Sequence, residues 1–588
     1  MPSYLGDPSV TGKRARYDKL RSALWSDRAT FDSHYQELAS WLLPRRIRTW
    51  SGDRNKGDKR NQNIIDSTAR FSARTLSSGL HAGLTSPARP WMKLSTPDPD
   101  LAEFGPVKEW LHIVTQRMLT VFLQTNLYNV LPMLYGDLGV FGTACMSVVD
   151  DSKDLFRCYA YPIMSYALGQ DARGLTTTFC REYELTVRQI VEQFGVKANG
   201  RDIDWTPISP SVHALWDSGD YETGVQVCWI VKPNEYARKD RLEAKYLPWT
   251  SCYFETGSRA GNNSYDSSGL GFLKESGFET FPIMAPRWDI TGEDTYGTDC
   301  PGMTALGDIK QLQIMQRRKG QAISKMVDPP LVGPTELRTQ KTSLLPGDIT
   351  YVNQREGQGG LRAIHEVTLN IQHLREDIGE VQYRIQRAFY EDLFLMLARS
   401  DDQRGSQPIT AREIDERHEE KLLALGPVLE RTNDELLDPI VDRVFGLMEK
   451  AGLIPEPPTE LHGVKLKVEY ISIMAQAQKL VGVVGQDRFL QSAGMLMGMD
   501  PSVVAKINFD QVVDNYGEML GVDPRIIRST DDANAMRQQQ AQAQQQAMDA
   551  ENALKMAQTA KTASETPLTG DTALNRLVQG AAAQAGAA

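Results

Sequence analysis

Residues 301–326 read PGMTALGDIKQLQIMQRRKGQAISKM, and residues 366–396 read EVTLNIQHLREDIGEVQYRIQRAFYEDLFLM. In the first run Leu306, Ile309, Leu312, Ile323 and Met326 mark an apolar stripe at helical spacing. Its middle, QRRKGQ over 316–321, is polar all round. In the second run Ile371, Leu374, Ile378, Val381, Ile385 and Ala388 keep a heptad spacing. Between them, residues 327–365 carry Pro329, Pro330 and Pro334, then Pro346-Gly-Asp348 and Gly357-Gln-Gly-Gly360. That insertion is too long for a turn and reads as a small module, with short strands near 349–352 and 361–364. Two long helices that leave a body, carry a module and return form a stalk. At a rise of 1.5 Å per residue the first is roughly 40 Å long. Such a stalk has little use in a monomer, and we expect it to line a channel built from many copies. An internal two-helix coiled coil is the other reading of the same heptads.

Past the stalk, 397–408 (LARSDDQRGSQP) breaks the helical pattern. Thr410 and Glu413 then form a capping-box pattern, and Ile409 and Ile414 a hydrophobic staple, which fixes where the next helix starts. Its apolar face runs through Leu422, Leu425, Leu429, Leu436, Leu437, Ile440, Val444 and Leu447. Gly426-Pro427 should bend it, and Ala451-Gly452 should end it. Residues 465–470 read as a strand that rejoins the body, and 473–523 as several helices. From Asp531 the chain is rich in Ala, Gln and Met, with good helix formers but almost no apolar stripe. The tail after Lys561 is expected to be disordered.

Upstream, residues 12–43 give one amphipathic helix, ended by Pro44. A basic loop follows, with Arg45, Arg46, Arg48, Arg54, Lys56, Lys59 and Arg60. It reads either as solvated or as a contact with nucleic acid or a neighbouring subunit. Helices are expected over 64–84, from 107 to about 122, and over 127–138. The pattern then turns β-rich: strands over 143–149 and 156–161 flank a hairpin signal, with more over 176–182, 225–231, 246–254 and 281–288. Thr186 with Gln189 caps a helix over 187–194. The first 300 residues thus read as an α+β body with an antiparallel sheet, within a chain that is predominantly helical.

The chain has 588 residues, room for several packed units, and a formal net charge of −10. That charge argues against a protein that clings to nucleic acid, though not against one that DNA slides past. Its six cysteines make no CxxC pair and suit buried free thiols in a reducing cytoplasm. No run of 18 apolar residues points to a membrane span, and no secretory signal opens the sequence. No P-loop, HExxH, GxSxG or dinucleotide fingerprint occurs, so no cofactor, metal site or catalytic residue is expected, and the pattern suggests mechanics rather than catalysis.

Several stretches, in order, resemble the head-to-tail connector (portal) proteins of short-tailed bacteriophages over most of residues 12–530. They are Tyr296-Gly-Thr-Asp-Cys-Pro-Gly-Met-Thr-Ala-Leu-Gly-Asp-Ile-Lys310, Thr410-Ala-Arg-Glu-Ile-Asp-Glu-Arg417, Leu425-Gly-Pro-Val-Leu-Glu-Arg431, Leu436-Leu-Asp-Pro439 and Val468-Glu-Tyr-Ile-Ser472. The resemblance implies a dodecameric ring at one capsid vertex of the virion, assembled in the host cytoplasm, through which double-stranded DNA enters and leaves. It implies a wing over 1–300, stem helices over 301–326 and 366–396, a clip over 327–365 and a tunnel loop over 397–409. A wing helix would follow over 410–459, a wing strand and crown over 460–530, and a C-terminal barrel helix and tail over 531–588. Terminase, tail adaptor or nozzle proteins, and major capsid and scaffold proteins are the implied partners. A conduit should hold DNA weakly, with rings of a few cations for transient grip. Arg399 and Arg404 in the loop, and Arg318, Lys319 and Lys325 on the stem, are the channel candidates; charges facing solvent or a neighbour are their alternative. A nuclease or terminase subunit with an unrecognised site is the rival reading.

Overall fold

The N-terminal amphipathic run folds as two helices, α1 (Val10–Ala29) and α2 (Asp32–Trp41), rather than one. Each serves a different core. Tyr17 and Leu24 of α1 are buried on a sheet, with Cys180, Cys228, Ile230, Cys252 and Phe254. Tyr35, Leu38 and Ala39 of α2 are buried elsewhere, the Tyr35 ring edge-on to Phe141. One straight helix cannot aim both stripes, and the chain turns at Thr30 and Phe31.

This structure, a computed structural model, describes residues 10–50, 52–53, 55–195, 202–238, 240–241, 243–256, 271–327, 331–332, 362–363, 371–399, 425–471, 493–495, 508–509, 511–513 and 530–564. The chain divides into two units: 1–97 with 109–488, and 98–108 with 489–588.

In the first unit, α3 (Thr68–Leu84) is followed by β1 (Met92–Ser95). α4 (Pro99–Glu103) and the first four residues of α5 (Gly105–Gln124) belong to the second unit; the rest of α5 and α6 (Leu127–Phe141) belong to the first. The small residues expected over 64–84 let α3 lie close on α6, and Ser77 Oγ donates to the carbonyl of Pro132 inside α6. The β-rich region holds β2 (Met146–Asp151), β3 (Leu155–Ala160), β4 (Tyr166–Gln170) and β5 (Thr176–Thr186). After α7 (Val187–Phe194) and α8 (Pro210–Asp217) come β6 (Gly224–Pro233), β7 (Trp249–Glu255), β8 (Lys274–Phe278) and β9 (Ile283–Met284). Thr186 and Gln189 form the expected reciprocal cap.

These strands build two antiparallel sheets instead of one: β4-β5-β6-β7-β8 and β3-β2-β9. Alternation along β6 sets the layers. Cys228 and Ile230 face the α1 core, while Val227 joins Val187, Ile190 and Val212 of α7 and α8. The run expected over 281–288 pairs as a strand only at β9, with Arg287 in an isolated bridge to Thr143.

The stem follows: α9 (Pro301–Thr304) and α10 (Leu306–Val327), then β10 (Leu331–Val332) paired with β11 (Arg362–Ala363). Most of 327–365, including 349–352, lies outside the described residues. The second long helix is broken. α11 (Ile371–Ala388) stops at Phe389 and Tyr390, and α12 (Glu391–Arg399) resumes. Tyr390 takes a left-handed φ of 54°, a costly conformation for a bulky residue. Burial explains it: Phe389, Leu393 and Phe394 all turn inward. Helix thus continues three residues into the stretch read as a loop from 397. Residues 400–424, with the cap at Ile409, Thr410, Glu413 and Ile414, lie outside the described residues.

Helix is described again from residue 425. Helix runs through Gly426-Pro427, and a π turn at Asn433–Leu437 leads into α13 (Asp438–Lys450). β12 (Lys467–Tyr470) does not rejoin the large sheets; it pairs antiparallel with β1 as a separate ribbon. In the second unit, α14 (Thr530–Ser564) is one continuous helix of 35 residues. Ala and Gln propensity carries it, since Met536, Met548, Leu554 and Met556 stand exposed.

Candidate channel stem and its root

The polar middle of α10 does structural work that its composition did not reveal. Gln313 is 2% exposed. Its Oε1 accepts from the amides of Ile65 and Asp66 at 2.7 and 2.8 Å, and its Nε2 donates to the Asp66 carbonyl at 2.8 Å. The Asp66 carboxylate accepts from Gln316 at 2.8 Å, from Gln382 of α11 at 2.9 Å, and from the Thr68 amide and hydroxyl at 2.8 and 2.6 Å. One carboxylate therefore ties both stem helices to the start of α3. Burial pushes its pKa up, but those hydrogen bonds outweigh burial and hold it below the usual carboxylate range. The available signal was Gln313 and Gln316 on the same side of the helix as Ile309 and Leu312.

Asp66→Ala should raise amide exchange in α10 and α11 at this level, by about 2–3 kcal/mol of local stability. A folded pKa below the unfolded one gives stability that is present above the unfolded value of about 3.9 and lost as pH falls through the folded value. The gap between wild type and variant should thus close in acid below about pH 4. A gap that persists there would rule out the ionised carboxylate as the tie.

Further contacts fix α11 and α12. Arg384 pairs with Asp308 across the two helices at 3.1 Å, and Ser72 Oγ donates to Glu391 at 2.6 Å. Lys310 pairs with Glu37 of α2. Gly79 of α3 faces the Phe394 ring, where a Cβ would overlap the ring itself. Gly→Ala inside a helix ordinarily gains up to about 1 kcal/mol. Gly79→Ala should instead lose about 1–3 kcal/mol, as overpacking does. Denaturant midpoints decide the sign.

The channel candidates are not brought into one row. Arg318 and Lys325 are exposed and, seven residues apart, share one side of α10; Lys319 is half-buried and stands about 100° round the helix. Arg399 is the last residue of α12, and Arg404 lies outside the described residues. Among the described residues no group of His, Cys, Asp and Glu is arranged to hold a metal ion, and no helix is long and apolar enough to cross a membrane. All six cysteines are buried, and burial pushes the Cys158 and Cys300 thiols up to about 12 and Cys252 up to about 11.

The profile of the family described as "Bacteriophage head to tail connecting protein" matches residues 14–527. The chain belongs to that family. It is 42% identical to the "Portal protein" of Salmonella phage epsilon15 over 571 residues, covering 97% of this chain and 99% of the relative. It is 40% identical to the "Probable portal protein" of Bordetella phage BPP-1 over 495 residues, covering 84% of each. A chain from "Virion of native gene transfer agent (GTA) particle" aligns over 73% of this chain and 84% of its own, at 10% identity and a TM-score of 0.32. This head-to-tail connecting protein is therefore a structural component of the phage particle with portal function, not a DNA-processing enzyme.

The stretch 296–310 has a physical role in the connecting protein. It roots the stem on the end of α6. The Gly297 amide donates to Thr143 Oγ1 at 2.7 Å, the Tyr296 hydroxyl accepts from the Leu168 amide at 2.8 Å, and Cys300 Sγ lies 3.3 Å from the Val140 carbonyl. Gly297 crosses the backbone of Gly142 so closely that a Cβ would strike its carbonyl. Beside the root, Arg287 is 2% exposed and fully engaged. It donates to Glu435 through Nη2 at 2.6 Å and Nε at 3.1 Å, to the Asp294 carbonyl at 2.8 Å and to the Gly174 carbonyl at 2.9 Å. Its own amide donates to Glu435 at 2.8 Å. Glu435 sits in the π turn, so this clamp holds the chain where its helix departs from α geometry.

Proposed function

We propose that twelve copies close into a ring around a channel for double-stranded DNA at one capsid vertex. In this reading α10 and α11 form the stem, 327–365 the clip, 397–409 the tunnel loop, and the N-terminal body the wing. The clip docks terminase during packaging and tail adaptor or nozzle proteins afterwards; major capsid and scaffold proteins surround the wing, and assembly takes place in the host cytoplasm. The carrying observation is the helix pair. α10 and α11 are tied to each other and, at one end, to the body, yet Ile314, Ile323, Met326 and Tyr383 on them are 41–53% exposed. A lone protein gains nothing by exposing them; repeated around an axis, a heterologous contact closes and covers them.

Mass measurement and particle imaging of the purified full-length chain test this. Rings with a central hole are expected. A protein that stays monomeric at every concentration would refute the reading.

A further inference from the structure

The sides of α10 and α11 left uncovered within one copy differ in charge. On α10, Ile309, Leu312 and Gln313 are buried, and the opposite side presents Gln311, Ile314, Arg318, Gln321 and Lys325. Both cations are exposed, and Ile314 is 49% exposed. On α11, Ile378, Val381 and Ile385 are buried, and the opposite side presents Glu376, Glu380, Tyr383 and Arg387. Tyr383 is 53% exposed. Both glutamates pair within their own helix, Glu376 with His373 and Glu380 with Arg384. One side is thus apolar and basic, the other aromatic and acidic towards the insertion.

Height matches as well as charge. Asp308 pairs with Arg384, Gln316 and Gln382 share Asp66, and Leu331 is the strand partner of Ala363. Counting antiparallel within the two helices, the first pair puts Arg318 level with Leu374 and the second puts it level with Glu380, a span that holds both Glu376 and Glu380; Ile314 falls level with 378–384, the span that holds Tyr383. Rotation about a ring axis keeps every residue at its height. Neighbouring copies therefore present complementary groups at one level.

We infer that the basic side of α10 seats on the acidic side of α11 of the next copy, with Arg318 between Glu376 and Glu380, and Ile314 against Tyr383. This rests on the ring reading and deepens it. It also reassigns Arg318: an arginine held between subunits is not a phosphate contact in the channel. Partial exclusion of water makes such a pair specific in orientation, since like charges at one level repel any slipped register.

Charge exchange tests the inference. Arg318→Glu alone, and Glu376→Arg with Glu380→Arg, should each lower the ring fraction at least tenfold by native mass measurement, while the triple variant should recover to within about threefold of wild type. All three sites are exposed, so monomer folding should be unchanged, with cooperative unfolding as the check. Ring yields unaffected by either reversal, or a triple variant no better than Arg318→Glu, would overturn this contact while leaving the ring intact. Rings absent from wild type would instead sink the ring reading. A second measurement does not depend on variant assembly yields. Ile314→Cys with Tyr383→Cys, oxidised, should give a ladder of covalent oligomers, because the six native thiols are buried. Monomer alone after oxidation of assembled rings would overturn the contact.

Discussion

Arg287→Ala should leave little soluble protein, with the first unit destabilised by about 3–5 kcal/mol, the cost of removing one member of a buried ion pair. The cause is what remains behind. Glu435, with 14% of its side chain exposed, would lose two guanidinium donors and keep only a backbone amide. The carbonyls of Gly174 and Asp294 would lose theirs too. The double variant Arg287→Met with Glu435→Met should recover much of the loss, because two apolar side chains leave no charge stranded. Chemical denaturation followed by tryptophan fluorescence reads both. A single variant within about 1 kcal/mol of wild type would show that the clamp does not hold the π turn.

The second large effect is expected on DNA and not on folding. Arg399→Ala with Arg404→Ala should leave rings and capsids at normal yield yet lower the number of stably DNA-filled particles at least tenfold. Each cation facing the channel is repeated in every copy, so two substitutions remove a whole belt of charge. Phosphate contacts act together, and each released counterion adds a factor to binding. The deficit should narrow in high salt, because screening weakens the same contacts in wild type. Particles as full as wild type, by density and nucleic-acid content, would leave these arginines without a role in the channel.

The helix–insertion–helix order was legible because apolar spacing over twenty residues leaves few alternatives. So was the cap at Thr186, which needs only Thr and Gln three residues apart. Long-range decisions were not legible. Tyr390 breaks a helix whose heptad reads straight through, because Phe389, Leu393 and Phe394 must reach a core built by α3. The division of the body strands into two sheets depends on partners far apart in sequence, as does the pairing of β12 with β1. Asp66 escaped notice for the same reason: nothing local distinguishes it, and its partners lie some 250 and 316 residues downstream. Arg287 reads as any surface arginine until Glu435 arrives beside it. Of the stem cations, spacing alone separates Lys319 from Arg318 and Lys325.

The ribbon of β1 and β12 sets a timetable for synthesis. Ser95 pairs with Lys467, so β1 leaves the ribosome and then waits for about 370 further residues before its partner exists. At 5–20 residues per second that is roughly 20–75 s. Phe122 and Tyr128 reach Trp91 early, but throughout that time the ring lacks its stacking partner Tyr470 and the open edge of Met92–Ser95 lacks its paired strand. A nascent chain therefore stays unfinished until nearly all of the first unit has been translated.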